Sequence, residues 1–437
     1  MPLLWSHLTL TIKRYRTPGL DLLAHHLEHA KDVPFSLHLH FVPPCPTKII
    51  FSHISAVLLR DQNARKLQTL RAECVPLDWV PLFSSLPSLK YLELSGVVKA
   101  PGSGGILSLV NFASLHRIDL SAPELTGIQL PWLQIMSVTL RCMTVDICIS
   151  LLLQCPRLVE FHCYYTRRCG ENGQNTVPEV DGLISLEYLE HFTWSYVPDA
   201  TCAIHYPRLR FPSLRTFQWR SRSFRRPMVD SGEAFALQSL TTHLPPTLSS
   251  LHIHYAGSLP NNILDHILGH IASIRVLHLT KCKYTTVIDV ISLINRIDLG
   301  KQGVCLPLLK KIVIQDPECP PNIQEREKLE AKLASYIIPM FSSRDPEKKK
   351  RFSFQIAMSG GLVSKRMRKV YLSLRRDRLA FNVWVDFAMT RSIEGVFEVE
   401  RQAKERAVAT AAQKPETSPN QPEKTIVMTF KGITDAH

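Results

Sequence analysis

The chain of 437 residues lacks any apolar run approaching the ~18 residues of a membrane-spanning helix. Its opening, "MPLLWSHLTLTIKRYR", lacks a charged n-region ahead of the apolar part and a small-residue cleavage site. It therefore does not read as a signal peptide. Regular cysteine pairing is missing too. Eleven cysteines, an odd number outside any small disulfide-rich format, point to a reducing compartment, cytoplasmic and/or nuclear. Signatures of catalysis are also absent: no G-x-x-x-x-G-K-[ST], G-x-S-x-G, H-E-x-x-H or G-x-G-x-x-G occurs. The glycine-rich "APGSGGILS" has no lysine to make it a phosphate loop and reads as an insertion. Neither an enzyme nor a cofactor is expected.

Hydrophobic residues make up 45% of the chain, enough for a large core, and the net charge is +14. That charge is local. From Arg344 to Arg378, twelve Lys/Arg stand against three acids, an excess of nine in one segment. The protein as a whole is thus not read as a nucleic-acid binder.

A repeat runs through the sequence. The spacing L-x-x-L-x-L, with conservative swaps, occurs at Leu89/Leu92/Leu94, Leu115/Ile118/Leu120, Leu133/Met136/Val138, Leu158/Phe161/Cys163 and Leu189/Phe192/Trp194. It continues at Leu214/Phe217/Trp219, Leu248/Leu251/Ile253, Ile274/Leu277/Leu279 and Leu309/Ile312/Ile314, and a weaker copy starts at Leu67. Starts lie 18 to 35 residues apart, centred on the ~20–29 of a leucine-rich repeat. The fourth and sixth residues share one face of a strand, and the first joins the same core from the preceding turn. Segments such as "TVDICISLLLQC" and "NNILDHILGHI" carry helical periodicity between the strands. Each unit has an apolar face that only a stacked neighbour buries.

The expected fold is therefore α/β, an irregular leucine-rich-repeat solenoid. It would be curved, with a parallel sheet on the concave face and helices on the convex one. A non-repetitive α/β domain is the competing arrangement. The expected organisation is an N-terminal cap with first irregular repeats over 1–66 and the array over 67–315. A C-terminal helix with basic capping strands would fill 316–390, and a polar, flexible tail 391–437. The asparagine that commonly follows such a repeat strand is largely missing, and Cys282 stands at its position.

Four cysteines, Cys142, Cys148, Cys155 and Cys163, fall close together. A structural zinc site brings close ligand pairs such as C-x2-4-C, and spacings of 6, 7 and 8 supply none. The register makes Cys148, Cys155 and Cys163 core fillers and leaves Cys142 in a turn. No metal ligands are assigned.

The third, fifth and seventh residues of each unit face away from that core. They give a candidate partner surface of Tyr91, Glu93, Arg117, Asp119, Glu160, His162, Tyr164, His191, Gln218, Arg220, His252, His254, His278 and Lys311. Mixed charge with Tyr, His and Arg suits a protein partner better than a phosphate backbone. His252 and His278 take the fifth position in successive units, about one strand spacing (~4.8 Å) apart. Such a pair could bind a metal, sense pH, or serve as plain hydrogen-bonding groups on a partner-facing surface.

A second candidate is the basic patch Lys348, Lys349, Lys350, Arg351, Lys365, Arg366, Arg368 and Lys369. It reads as a nuclear-import or nucleic-acid patch, an anionic-membrane contact, or the solvated side of closing strands. Alternation in "RFSFQIAM" and "KVYLSLRRDRLAFNVWVDF" favours strands there.

Several segments together resemble the F-box/leucine-rich-repeat-like proteins of mushroom-forming fungi. "MPLLWSHLTLTI" looks like that family's "LWs" segment, and "LPWLQIMSVTLRCMTVDICISLLLQCPRLVE" is similar to its most recurrent pattern. "FPSLRTFQWR" resembles its strands, and "LASYIIPMFSSR" the helix that ends its array. The resemblance covers residues 1–390 and implies the substrate-recognition region of a ubiquitin-ligase receptor. In the family an F-box precedes the "LWs" segment and docks the cullin-ligase adaptor. These residues start at that segment, so adaptor binding is not expected of them. A protein partner is expected, and no membrane. A nuclear or nucleic-acid-associated scaffold acting through 344–378 is the alternative, and a truncated gene model without independent function the more distant one. Oligomeric state is left open.

Overall fold

A computed structural model describes residues 5–12, 18–42, 48–98, 105–123, 125–168, 182–197, 205–221, 231–255, 267–268, 271–298, 306–318, 320, 322–342, 353–357 and 384–386. The chain divides into two units, Met1–Phe387 and Ala388–His437, and every described residue lies in the first.

Alternating apolar residues produce the strands. Fourteen of them form one sheet: β1 (His7–Ile12), β2 (Phe35–Phe41), β3 (Leu67–Glu73), β4 (Tyr91–Ser95), β5 (Arg117–Ser121), β6 (Ser137–Arg141) and β7 (Glu160–Tyr164), followed by β8 (His191–Ser195), β9 (Thr216–Arg220), β10 (Ser250–His254), β11 (Val276–Thr280), β12 (Lys311–Gln315), β13 (Ser353–Ala357) and β14 (Trp384–Asp386). Spatial order follows chain order throughout, and every pairing is parallel. Parallel neighbours need crossover connections, and several of these carry helices, among them α1 (Pro18–His29), α2 (Val145–Gln154), α3 (Tyr284–Asp298) and α4 (Ile323–Ser342). The fold is mixed α/β with a large parallel sheet.

Residues 1–66 contribute β1 and β2, which pair onward to β3. At the other end, α4 does not close the sheet, because β13 and β14 follow it.

Three local rules recur from unit to unit. Before the strand, the first leucine donates its N–H three residues back, as in Leu89 to Leu86, Leu214 to Phe211 and Leu309 to Leu306. Where the strand begins, one carbonyl takes two successive N–H groups of the next unit: that of Lys90 accepts from His116 and Arg117, that of Arg275 from Lys310 and Lys311. After the strand comes a residue with left-handed backbone. It is Cys74 (φ 58°), Gly96 (59°), Cys142 (58°), Tyr165 (55°), Tyr255 (59°), Lys281 (51°) or Asp316 (46°). Several donate to the last carbonyl of the next strand, as Cys142 does to Tyr164 at 3.0 Å and Lys281 to Gln315 at 2.7 Å. Only Gly96 is free of the steric penalty of that region. A Cβ there would also press to 3.3 Å from the Cys74 sulfur.

The unit expected at Leu133 is displaced by two residues. Leu133 and Met136 are 74% and 46% exposed, whereas Ile135, Val138 and Leu140 are fully buried. The unit starts at Ile135, so its strand places Ser137, Thr139 and Arg141 opposite the core.

The core lies on the other side, one cluster running from Leu8 to Ile356. Phe192 stacks on Phe161, Phe211 and Phe217 with ring centroids 6.1, 4.9 and 5.9 Å away. Cys148, Cys155 and Cys163 are buried in this core, with the sulfurs of Cys148 and Cys163 3.2 Å apart, and Cys142 is half-buried in its turn. Cys282 is buried and lies 3.4 Å from the carbonyl oxygen of Ile253 in the preceding unit, which its thiol can reach as a donor.

Candidate functional site

Opposite the core, side chains of successive strands stand in rows fixed by the pairing register. One row runs Thr69, Tyr91, Arg117, Ser137, Glu160, His191, Thr216, Ser250, Val276, Lys311. A second runs Arg71, Glu93, Asp119, Thr139, His162, Thr193, Gln218, His252, His278, Val313. A third includes Glu73, Ser95, Ser121, Arg141 and Tyr164, and then Arg220, His254, Thr280 and Gln315. All fourteen partner-face residues expected from the sequence fall in these rows. Most are half-exposed, Asp119 and His254 are buried, and Arg117 is exposed. The basic patch Lys348, Lys349, Lys350, Arg351, Lys365, Arg366, Arg368 and Lys369 lies outside the described residues.

Between β2 and β7 the face carries carboxylates, each engaged by a neighbour. Glu73 accepts from two imidazoles: His38 Nε2 is 3.0 Å from Oε1 and His40 Nδ1 2.5 Å from Oε2. Those hydrogen bonds hold its carboxyl down at about 2. Glu93 Oε2 accepts from the Tyr91 hydroxyl at 2.8 Å and from Arg71 Nε at 3.1 Å. The Tyr91 ring has the Arg117 guanidinium 5.3 Å from its centroid. Burial, then the bond to Glu93, pushes the Tyr91 hydroxyl far above its usual range. Arg141 Nη1 donates to Asp119 Oδ1 at 2.9 Å, and Ser137 donates to Glu160 at 2.8 Å.

Tyr164 marks the crossing, with Arg220 at 4.7 Å and Arg141 at 5.9 Å from its ring centroid. Beyond it the face turns to imidazole and amide. His162 Nδ1 lies 2.8 Å from Thr193 Oγ1, and Gln218 Nε2 3.0 Å from His254 Nε2. His252 and His278 lie directly opposite each other in the register, with ring centroids 5.0 Å apart; His254 is 6.2 Å from His278. Burial is the main force holding these imidazoles neutral: His278 falls to about 4, helped by His252 and Lys311, and His254 to about 2, helped by Arg220. Among the described residues, no group of three or more His, Cys, Asp or Glu is arranged to hold a metal ion. No helix among them is long and apolar enough to cross a membrane.

Sequence reasoning missed the N-terminal extension of the face, His38, His40, Arg71 and Glu73. The alternation in "FSLHLHF" is the signal that exposes the two histidines. It also missed Arg141, through the two-residue displacement at Ile135. No protein-family model matches the chain, and no curated protein matches it.

Proposed function

We propose that the chain is an irregular leucine-rich-repeat solenoid, curved with its sheet on the concave side, that binds a protein partner through the polar sheet face and catalyses no reaction. The observation that carries this reading is the half-exposed face itself. Parallel sheets are ordinarily covered on both sides and read as continuous apolar runs. Here β4, β7, β9 and β12 alternate buried and half-exposed residues, with Tyr, His and Arg among those on the uncovered positions, while β5, β6 and β8 are buried over most of their length. Those residue types dominate the energetic centres of protein interfaces. On this reading the chain does the work of the substrate-recognition region of an F-box receptor, in the cytoplasm or nucleus.

The test is quantitative affinity capture with the full chain in three forms. Arg117→Glu with Tyr164→Ala removes the partner, and reversing the charges of Lys348, Lys349, Lys350 and Arg351 leaves capture unchanged. The opposite pattern would replace this reading with a scaffold acting through the basic segment.

A further inference from the structure

The carboxylates on the polar face are unevenly distributed. Between β3 and β12, every carboxylate in the three rows stands on β3 to β7, as Glu73, Glu93, Asp119 and Glu160; Asp386 of β14 continues the third row two strands beyond β12. From β8 to β12 the rows hold none. Cations stand in both halves: Arg71, Arg117 and Arg141 lie among the carboxylates, whereas Arg220 and Lys311 lie where the rows hold none. Lys281 follows β11, and Arg275 and Lys310 stand exposed just before β11 and β12. The side chains of Arg275, Lys310 and Lys311 meet no carboxylate among the described residues. Between these cations sits the imidazole group of His252, His254 and His278. The Nε2 of His278 is buried without a hydrogen-bond partner among the described residues.

We infer that the face over β9 to β12 docks an acidic segment, a short run of Asp or Glu side chains, of the protein partner. This rests on the proposed partner-binding face and names the chemistry it selects. A carboxylate answers that unmet charge: it neutralises Arg275, Lys310 and Lys311, which meet no carboxylate among the described residues, beside imidazoles that burial keeps uncharged. The size fits as well. Three strand intervals of ~4.8 Å span about 14 Å, the reach of four or five extended residues. A longer polyanion such as a nucleic-acid strand would run on to β7 and meet Glu160 and the carboxylates beyond it. The acid-bearing half of the face thus limits the docked charge to a short segment.

The test pans a library of random twelve-residue peptides on the full-length protein and measures the enriched consensus peptide by fluorescence polarisation. A single-stranded oligonucleotide serves as the competing probe. Arg275→Glu with Lys310→Glu changes two exposed positions, and an unchanged circular-dichroism melt establishes that this variant folds. The consensus is expected to carry clustered Asp or Glu, to weaken about tenfold in that variant, and to stay within about twofold in Arg117→Glu. A consensus without acidic residues that is lost in Arg117→Glu with Tyr164→Ala overturns the acidic assignment and leaves the binding face standing. Binders indifferent to both variants, or no binder at all, overturn the two together. An oligonucleotide that binds more tightly than the acidic peptide, through the same two cations, replaces the peptide with nucleic acid.

Discussion

Arg141 donates from Nη1 to Oδ1 of Asp119 at 2.9 Å, yet the carboxyl it grips is held up at about 6. Burial of Asp119 outweighs the guanidinium, and Glu93 across the next strand interval adds to the upward push. Removing the cation alone should therefore hurt more than removing the charge. Arg141→Met is expected to lose about 1–3 kcal/mol at pH 7, and Asp119→Asn under about 1 kcal/mol, in urea unfolding. The folded carboxyl is raised above its ordinary 3.8, so its burial is tolerated at low pH and becomes unfavourable as pH rises through about 6. The Arg141→Met deficit should accordingly shrink at pH 5. Equal losses in the two variants at pH 7 would assign the stability to packing instead.

The imidazole group should make the protein acid-sensitive. His278 and His254 are depressed from 6.5 to about 4 and about 2, so the unfolded chain binds protons that the fold refuses. Their contribution is intact above pH 6.5 and lost as pH falls towards 4, at up to ~1.4 kcal/mol per pH unit for each group. Melting temperatures at pH 7, 6 and 5 should fall in turn, and His278→Gln should flatten the slope. Asp119 acts in the opposite sense between 3.8 and about 6, so Asp119→Asn should steepen it. A slope identical in all three proteins would count against buried neutral imidazoles.

Phe192 sits at the centre of an aromatic stack and is 1% exposed. Phe192→Ala is expected to lose about 3–5 kcal/mol, and Phe192→Leu distinctly less, because the leucine refills most of the volume. Guanidinium unfolding distinguishes them. A loss under 1 kcal/mol for the alanine variant would mean that the stack does not hold these strands together.

The left-handed residue after β6 offers a backbone test. Cys142→Gly relieves the steric penalty of φ 58° while loosening the unfolded chain, so its stability should stay within about 1 kcal/mol of the parent. Cys142→Val puts a β-branched residue in that conformation and should lose about 1–3 kcal/mol. If valine is tolerated as well as glycine, the turn has another conformation available to it.

Much of the strand pattern was legible because two signals coincide at each unit, alternation of period two and a leucine three residues earlier. Parity alone then places Tyr91, His252 or Lys311 opposite the core. The same rule failed at "LQIMSVTL", where Leu133/Met136/Val138 and Ile135/Val138/Leu140 both satisfy the spacing. Burial of Ile135 and Leu140 decides between them, and burial belongs to the folded chain. The clasp of His38 and His40 on Glu73 was illegible for a related reason. It joins residues 35 and 33 positions apart, brought side by side only because β2 and β3 are neighbours. The uneven spread of carboxylates along the face likewise emerges only once strands are laid in spatial order.

Connections between strands differ widely in length, yet from β3 to β13 each paired position stays level with the next. The face is therefore an addressable grid, each column written by one five-residue word of sequence and each row crossing every word once. Changing the outward letters of a single word alters one column and leaves its inward letters, and hence the core, untouched. On the proposed binding role, recognition would be edited column by column, and connections of different length already leave the paired positions level.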